Sequence, residues 1–256
     1  MEAQLDDDLR RRLRDVRSAA VVTGAGISAE SGIRTYRGRG GIYDDPASGD
    51  ATIEALSGTT LVTDPDRTWR VIADLARQAR DARPNPAHLA LAELERRLDH
   101  CVVLTQNVDG LHREAGSENL IEIHGRITDL ACMGCDRRET RGAEELADLT
   151  GTPLCADCGG LLRPGVVLFG EMLPLDAVAA IHREIYQKPA DLTLVVGTSA
   201  LFPYVTEPVH VARAEGRLTV EIDPAPTALS GHVDHALRGP AGLWLPVLAA
   251  AIEAGR

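Results

Sequence analysis

The sequence predicts an α/β fold, a doubly wound parallel sheet of Rossmann-like type that is interrupted by two insertions. Three observations lead to this prediction. Short runs rich in β-branched residues alternate with stretches of helical periodicity, the first run ends in a glycine-rich turn, and two long stretches break the alternation. Such alternation is typical of parallel strands whose connecting helices cover both faces of the sheet.

The individual elements follow from local patterns. Six apolar runs are interpreted as buried strands of this sheet: SAAVVT, CVVLTQN, NLIEIH, GVVLF, LTLVVGT and LTVEID. Three stretches have the spacing of helices: NPAHLALAELERRL, LDAVAAIHREIY and AGLWLPVLAAAIEAG. At the N terminus Leu5, Leu9, Leu13 and Val16 recur at helical spacing, so we interpret the arginines among them as the solvated face of an amphipathic helix.

The length of 256 residues fits one α/β domain with insertions. We predict that residues 1–34, 84–125 and 165–256 form the sheet and its helices. Residues 35–83 contain a glycine-rich loop followed by a helical pattern, and residues 126–164 contain four of the five cysteines. These two segments are the predicted insertions.

The charge balance excludes several classes of partner. Lysine and arginine number 27 against 38 aspartates and glutamates, which gives a net charge of −11. A charge of this sign repels nucleic acids and anionic membranes. The charged N-terminal segment lacks the apolar core of a signal peptide, and no stretch reaches the roughly 18 apolar residues of a membrane span. We therefore expect a soluble, cytoplasmic protein with no direct nucleic-acid or membrane partner.

Four cysteines have the spacing of a metal site. Cys132 and Cys135 form one Cys-x2-Cys pair, Cys155 and Cys158 form another, and 19 residues separate the pairs. This spacing predicts one tetrahedral zinc ion with four thiolate ligands, which leaves no position for water and makes the metal structural. Two disulfides are the alternative, but nothing indicates export to an oxidising compartment.

The cysteine module and the fifth cysteine have simple interpretations. Cys101 begins an apolar strand and is interpreted as a buried core residue, not as a nucleophile. A zinc ribbon can bind nucleic acid, but five arginines face seven acidic residues between positions 126 and 163. That balance is not typical of a phosphate-binding surface. We therefore predict a small zinc-ribbon module with a structural role.

The first strand leads into Gly24-x-Gly26-x-x-Ala29, a pattern that matches the dinucleotide fingerprint. In that fingerprint the glycines let the backbone approach a pyrophosphate, and the following helix offers N–H groups to it. A bare tight turn is the alternative. No acidic residue ends a second strand about 20 positions on, as a nicotinamide dehydrogenase requires. The nearest candidate for a ribose partner is Asp223, far downstream.

Polar side chains follow three of the predicted strands. Gln106, Asn107 and Asp109 come after one strand, His124 after another, and residues 197–199 after a third. Asn and Asp also cap helices, and a lone histidine is often a hydrogen-bonded core residue. Because the carboxyl ends of parallel strands lie on one edge of a sheet, their joint occurrence favours a binding crevice.

Five motifs together resemble those of the sirtuin family of NAD-dependent protein deacylases. They are GAGISAESGIRTYR, TQNVDGLH, HG followed by the two cysteine pairs, RPGVVLFGEMLP and GTSALFPY. The resemblance runs in the family's order from about residue 20 to residue 246. Arg34, where other branches have proline, resembles the bacterial and mitochondrial deacylase branch. The resemblance implies a single catalytic domain, NAD as co-substrate, one structural zinc ion and acylated-lysine proteins as substrates.

The resemblance also implies roles for individual residues. The implied cofactor-binding residues are Gly24, Ala25, Gly26, Glu30, Arg37, Gln106, Asn107, Asp109, Gly197, Thr198, Ser199 and Asp223. Among them, Asn107 and Asp109 hold the nicotinamide carboxamide. Asp223 stands where family members more often have asparagine, and both side chains accept a hydrogen bond from a ribose hydroxyl. His124 is the implied general base, since its ordinary pKa of about 6.5 suits acceptance of a ribose-hydroxyl proton.

Two further segments are implied to contact the substrate. Residues 165–171 pair with the substrate backbone as an added strand. The residues expected to do so are Val167, Phe169, Gly170 and Glu171. Ile72 and Leu75 stand where members that remove acidic acyl groups carry tyrosine and arginine, so we expect acetyl and longer uncharged acyl groups to be preferred over succinyl. Alternatively, both residues pack in the helix core, and Arg77 or Arg80 contacts the acyl group.

Three other functions stay open on the sequence alone. An ADP-ribosyltransferase or NAD glycohydrolase uses the same cleavage of NAD without needing an acyl-lysine. A dehydrogenase produces NADH. A zinc-dependent binding module turns over no NAD at all.

Overall fold

The computed structural model describes residues 4–38 and 40–252. Its strands, in chain order, are β1 (Ser18–Thr23), β2 (His100–Thr105), β3 (Leu120–Glu122), β4 (Gly125–Cys132), β5 (Arg138–Thr140), β6 (Leu162–Val166), β7 (Leu192–Val196), β8 (Leu218–Ile222) and β9 (His235–Leu237). Its α-helices are α1 (Asp7–Leu13), α2 (Gly49–Ala55), α3 (Gly58–Thr63), α4 (Pro65–Ala79), α5 (Pro86–Arg97), α6 (Leu111–Glu114), α7 (Ala143–Ala147), α8 (Leu175–Ile181), α9 (Pro203–Ala214) and α10 (Ala241–Ala251).

The main sheet has six parallel strands in the order β3-β2-β1-β7-β8-β9. From the central strand β1 the chain passes to β2 on one side and later to β7 on the other. The strand order therefore reverses beside β1, which is where open α/β sheets bind ligands. The predicted doubly wound parallel sheet is confirmed.

Alternate residues of the strands face opposite sides of the main sheet. Ala19 and Val21 pack with α1, α5 and α10, whereas Ala20 and Val22 pack with residues of α9 and the segment after α8. The period of two follows from strand geometry, and burial on both sides explains the continuous apolar runs. The predicted N-terminal helix is confirmed as α1, and its leucines are buried in the first of these clusters.

A second, three-stranded antiparallel sheet has the order β5-β4-β6. The prediction that GVVLF forms a strand of the main sheet is wrong, because only its first two residues belong to a strand, β6, and that strand pairs with β4. Burial alternates along β6, as in a strand with one buried face, and Pro164 is tolerated because β6 lies at a sheet edge. A short apolar run alone does not distinguish the two situations.

Smaller differences from the predicted elements concern two helices and one strand, and the end of a third helix is not described. The stretch after the first glycine turn is a 3₁₀ helix, Ala25–Ser31. The helix predicted over residues 175–186 is α8 followed by a π-helical turn, His182–Tyr186. The last predicted helix is α10, and its expected end at residues 253–255 lies outside the described residues. Strand β9 forms one edge of the main sheet, and its three residues show too little apolar pattern for it to be predicted.

The second sheet packs against the helical insertion. Trp69 and Ile72 of α4 share a buried cluster with Leu130 of β4, Leu146 of α7 and Leu162 of β6. The Trp69 indole also donates to the Leu162 carbonyl oxygen at 3.0 Å. In residues 4–38 and 40–252, no helix combines the length and the apolar character needed to cross a membrane.

Candidate active site

The polar segments predicted to form a crevice all follow the carboxyl ends of parallel strands. In spatial order along the sheet edge they are His124 after β3, Gln106 after β2, Gly24 after β1, Gly197 after β7 and Asp223 after β8. They open onto one cavity of about 910 Å³. This volume lies in the range of small-molecule and cofactor sites.

Most of the predicted site residues line this cavity. They are Gly24, Ala25, Gly26, Arg37, Ile72, Leu75, Gln106, Asn107, His124, Val167, Phe169, Gly170, Glu171, Gly197, Thr198, Ser199 and Asp223. Two predicted residues lie elsewhere. The exposed Glu30 accepts a hydrogen bond from the Gly242 backbone N–H at 2.6 Å, and Asp109 lines a neighbouring small cavity of about 20 Å³.

The glycine turn packs against the backbone of residue 197. A Cβ on Gly24 would lie 2.7 Å from the Gly197 carbonyl oxygen, and one on Gly26 would lie 2.6 Å from the Gly197 Cα. Gly197 itself has a φ of +60°, and its own Cβ would lie 2.4 Å from the Ile27 nitrogen. The protein's own backbone therefore already requires these three glycines. The Gly26 N–H donates to the Gly197 carbonyl oxygen at 2.8 Å and is not free for a phosphate.

A buried network orients Asn107. Ser28 Oγ donates to Asp109 Oδ2 at 2.7 Å and accepts from Asn107 Nδ2 at 3.2 Å. The side-chain oxygen of Asn107, Oδ1, is buried and has no hydrogen-bond partner among the described residues. A buried acceptor without a partner is costly, and Asn107 lines the cavity. The arrangement therefore offers an acceptor for an N–H group of a ligand. The sequence contained Ser28, but its role depends on tertiary contacts and was not predicted.

Burial perturbs the titration of the same network. It raises the pKa of Asp109 despite the bonds that the carboxylate accepts from the Leu111 N–H and the Ser28 hydroxyl. Burial lowers the pKa of His112 to about 3 and that of His88 to about 4. Both imidazoles are therefore neutral near pH 7. Each imidazole contacts a buried hydroxyl. His88 Nε2 lies 3.4 Å from Ser28 Oγ, and His112 Nε2 lies 3.0 Å from Thr23 Oγ1.

His124 presents an imidazole to the cavity in one fixed orientation. Its Nδ1 lies 2.9 Å from the Gln106 carbonyl oxygen, and its Nε2 lies 3.1 Å from the Tyr204 hydroxyl. Burial lowers the pKa of His124, and the bond to the Gln106 carbonyl opposes this effect. A neutral, oriented imidazole in a cavity has the properties of a general base.

The side of the cavity near β7 and β8 carries the residues expected to contact a ribose. Gln106 Nε2 donates to Thr198 Oγ1 at 2.9 Å, which joins the ends of β2 and β7. Asp223 accepts from the Ala225 N–H at 2.9 Å, and burial raises the pKa of its carboxyl group. Arg37 stacks over the Tyr43 ring, with 5.6 Å between the guanidinium carbon and the ring centroid.

Residues 165–171 form a backbone segment tied to its surroundings at several points. The Val167 N–H donates to the His124 carbonyl oxygen at 3.0 Å, and Phe169 exchanges backbone bonds with residues 56 and 58. Arg163 donates to both carboxylate oxygens of Glu171, at 2.9 Å and 2.8 Å. Burial raises the pKa of Glu171, but the Arg163 guanidinium and the Leu168 N–H lower it by more, so the pKa lies below its ordinary value. Arg163 was not predicted to support the site.

The four paired cysteines come together. Their sulfur atoms all lie within 4.8 Å of one another, with 3.4 Å between Cys132 and Cys158 and 3.7 Å between Cys135 and Cys155. Tetrahedral zinc with bonds of about 2.3 Å places its sulfurs about 3.8 Å apart, so this donor set fits zinc. All four thiols are free, and the disulfide alternative does not hold.

The glycines of the two cysteine turns support the same conclusion. A Cβ on Gly160 would lie 3.2 Å from the Cys158 sulfur, and the Gly134 N–H donates to the Cys132 sulfur at 3.2 Å. Both features leave room for, and orient, thiolates at the tips of the turns. The predicted core position of Cys101 is also confirmed, since its side chain is buried and burial raises the pKa of its thiol to about 12.

Comparison with known proteins gives a consistent result. The NAD-dependent protein deacylase 2 of Pseudomonas aeruginosa is 48% identical over 230 residues, which cover 89% of each chain. The NAD-dependent protein deacylase of Pyrococcus furiosus is 43% identical over 235 residues, 90% of this chain and 91% of the relative. A solved Sir2 homologue–NAD complex has a TM-score of 0.83 and 36% sequence identity, with 97% of this chain and 94% of the other covered.

A sequence model of the Sir2 family matches residues 24–202. This range holds the glycine turn, the segment after β2, His124, the four paired cysteines and residues 165–171. The match spans more than half of the chain, and the relatives above agree with it over nearly their whole length. The chain belongs to the Sir2 family.

Proposed function

We propose that the protein is an NAD-dependent protein-lysine deacylase that transfers the acyl group of an acyl-lysine to ADP-ribose and releases nicotinamide. Relatives at 43% and 48% identity bear the name NAD-dependent protein deacylase. A solved relative at 28% identity combines a deacetylated peptide with acetyl-ADP-ribose. The protein substrates are thus proteins with acylated lysines.

The unpartnered Oδ1 of Asn107 is the observation that carries the proposal. Nicotinamide ends in a carboxamide, whose NH₂ group is a donor that matches this acceptor. Ser28 donates its hydrogen to Asp109, so it accepts from Asn107 Nδ2 and thereby keeps Oδ1 free for a ligand. A cavity of about 910 Å³ and the strand-order reversal at β1 also fit a dinucleotide.

Each group of residues that lines the cavity has a separate role in the proposed reaction. When bound, NAD supplies the anomeric carbon that the acyl oxygen attacks as nicotinamide leaves. Asn107 holds the carboxamide. Gln106 forms hydrogen bonds with the ribose next to nicotinamide, and Asp223 accepts a hydrogen bond from a hydroxyl of the other ribose. His124 Nε2 then takes a proton from a ribose hydroxyl, which allows that oxygen to attack the acyl carbon. The bond from the acyl carbon to the lysine nitrogen then breaks, the amine leaves with a proton, and water supplies the oxygen that completes the O-acyl-ADP-ribose product. Residues 165–171 align the substrate backbone by strand addition.

The acyl group preferred is acetyl or a longer uncharged chain. Ile72 and Leu75 line the cavity, whereas Arg77 donates to the Ala147 carbonyl oxygen at 2.8 Å and Arg80 pairs with Asp81. Beside Ile72 and Leu75, a succinyl carboxylate would therefore lose its hydration without pairing with Arg77 or Arg80, at a cost on the order of several kcal/mol. Each methylene of an alkyl chain instead gains about 0.8 kcal/mol from burial.

The proposed location is the cytoplasm. The four clustered thiols are free, and a reducing compartment keeps such thiols available for metal. The net charge of −11 argues against a nucleic-acid or anionic-membrane partner.

Mass spectrometry of acyl-lysine peptides incubated with the protein and NAD tests the proposal. Peptides carrying acetyl, butyryl, long-chain acyl or succinyl groups are compared on one sequence. We expect loss of the acyl mass from the first three and slow loss from the succinyl peptide. Transfer of ADP-ribose to protein, or hydrolysis of NAD that ignores the peptide, would instead support the ADP-ribosyltransferase or glycohydrolase alternative. Formation of NADH would support a dehydrogenase.

A further inference from the structure

A tyrosine hydroxyl is hydrogen-bonded to the nitrogen atom through which His124, the proposed base, must accept a proton. His124 Nδ1 lies 2.9 Å from the Gln106 carbonyl oxygen, and His124 Nε2 lies 3.1 Å from the Tyr204 hydroxyl. A carbonyl oxygen can only accept, so in the neutral ring Nδ1 carries the hydrogen and Nε2 carries the lone pair. The Tyr204 hydroxyl therefore donates to Nε2.

The position of Tyr204 is fixed by aromatic contacts. Its ring stacks on Phe202, with 5.4 Å between centroids and 6° between planes, and meets the His124 ring edge-on at 5.9 Å and 89°. It lies in the first turn of α9, directly after Pro203. Burial raises the pKa of Tyr204 to about 12, so the hydroxyl stays protonated and remains a donor at neutral pH. Among residues 4–38 and 40–252, His124 is the only hydrogen-bond partner of this hydroxyl.

The bound ribose needs the same lone pair. An imidazole Nε2 has one in-plane lone pair, and a proton acceptor must receive the reacting hydroxyl there. Tyr204 and His124 both line the cavity, so a ribose hydroxyl and the tyrosine hydroxyl compete for one atom.

We propose that Tyr204 is a positioning residue, which keeps His124 neutral and aimed into the cavity until the hydroxyl of the bound ribose displaces it. This inference rests on the proposed function of His124. It concerns the state of the enzyme before the ribose arrives, and Tyr204 itself takes no proton.

Other charged groups around the cavity do not replace this contact. The charged side chains that line the cavity are Arg37, Glu171 and Asp223. Glu171 pairs with Arg163, and Asp223 accepts from the Ala225 N–H. In the described part of the chain, neither carboxylate forms a hydrogen bond or ion pair with His124. Gln106 and Tyr204 are therefore the polar groups in direct contact with the imidazole.

An NMR titration of His124 in the ligand-free protein tests the contact directly. The His124 ring signal is assigned with the His124→Ala variant. A donor to Nε2 stabilises the neutral ring, so its removal in Tyr204→Phe is expected to raise the pKa of His124 by roughly half to one pH unit. Tyr186→Phe is the matched control, because this half-buried tyrosine contacts His182 and not His124. An unchanged pKa in a folded Tyr204→Phe variant would overturn the inference.

The pH dependence of the steady-state kinetics shows whether Tyr204 is displaced by the ribose hydroxyl or itself carries a proton. The acid limb of kcat/KM reports the free enzyme, so it moves to higher pH in Tyr204→Phe by the same amount as the titration. The acid limb of kcat reports the enzyme–substrate complex, in which the tyrosine is already displaced, so it stays in place. A loss of kcat as large as that of His124→Ala, at a pH where the base is deprotonated, would make Tyr204 a proton carrier and contradict the inference.

Deacylase activity and the contact between Tyr204 and His124 are measured independently. A wild-type protein that deacylates no peptide overturns the proposed function but leaves the titration readable. A fully active enzyme whose His124 pKa is unaffected by Tyr204→Phe overturns the positioning role alone.

Discussion

Two polar side chains, Asn107 and His124, have the central roles in the proposed chemistry of the cavity. Asn107 presents a buried acceptor that no described residue satisfies, and His124 presents an imidazole held by Gln106 and Tyr204. Their sequence positions just after two strands made both residues predictable. The partners that orient them, Ser28 and Tyr204, were not predictable, because these contacts join residues 79 and 80 positions apart.

Replacement of His124 by alanine removes the proposed base. General-base catalysis contributes on the order of 10² to 10⁴ in rate, so deacylation should fall by about that factor while NAD binding and the fold persist. Steady-state kinetics, isothermal titration with NAD and circular dichroism measure the three properties. Retention of most of the activity would remove His124 from the proposed role.

The pH dependence of the wild-type enzyme follows from the same side chain. Only the neutral imidazole accepts a proton, and burial lowers the pKa of His124 below its ordinary value of about 6.5. We therefore expect kcat/KM to be constant near pH 7 and to fall with decreasing pH through a value below about 6.5. An acid limb centred well above 6.5 in the free enzyme would contradict this assignment.

Replacement of Ser28 by alanine removes the hydroxyl between Asn107 and Asp109. Both side chains then lose a buried hydrogen bond, which costs about 1–3 kcal/mol and is expected to lower kcat/KM for NAD by roughly 10- to 100-fold. Ser31→Ala is the matched control from the same 3₁₀ helix, since Ser31 bonds to Asn85 and not to Asn107. Equal losses in the two variants would mean that the effect arises from the helix and not from the network.

Among the helices and strands, helix α4 joins the positions proposed to contact the acyl group to the second sheet. Its face buries Trp69 and Ile72 against β4 and β6, and Ile72 and Leu75 also line the cavity. Helix periodicity predicted the helix, and β-branched runs predicted the main-sheet strands. Pairing partners were harder to predict, because GVVLF has the composition of a buried strand but belongs partly to an edge strand of the smaller sheet.

The acyl preference is expected to depend on these two positions of α4. On one peptide, kcat/KM should be clearly higher for acetyl and longer uncharged acyl groups than for succinyl, because both positions carry aliphatic side chains that cannot pair with the succinyl carboxylate. The double variant Ile72→Tyr/Leu75→Arg should raise kcat/KM for succinyl relative to acetyl. A wild-type preference for succinyl would show that another cation contacts the acyl group.

Across the whole molecule, the cysteine module shares one apolar cluster with the helical insertion. Cys155 lies in this cluster together with Ile72 and Leu168, which line the cavity. Loss of the metal is therefore expected to disturb the packing of the cavity lining as well as that of the cysteine module. The sequence predicted the ligands from their spacing, but the shared cluster emerges only from the packing.

Replacement of Cys132 or Cys155 by serine should release zinc and destabilise the protein. Metal affinity is coupled to folding of such modules, so Tm is expected to fall by on the order of 10 °C. Elemental analysis and thermal unfolding measure both effects. Cys101→Ala is the control, since this core cysteine lies outside the four-sulfur cluster and its variant should keep one zinc per chain. Wild-type protein purified without zinc would refute the assignment.

The product balance with an acetyl-lysine peptide whose carbonyl oxygen is ¹⁸O tests the proposed acyl transfer most directly. Nicotinamide, free lysine and O-acetyl-ADP-ribose are quantified together by mass spectrometry. We expect equal amounts of all three, no nicotinamide without the peptide, and the ¹⁸O label in the ADP-ribose product, because the acyl oxygen attacks the anomeric carbon. Nicotinamide release without the peptide, or free acetate with unlabelled ADP-ribose, would contradict it.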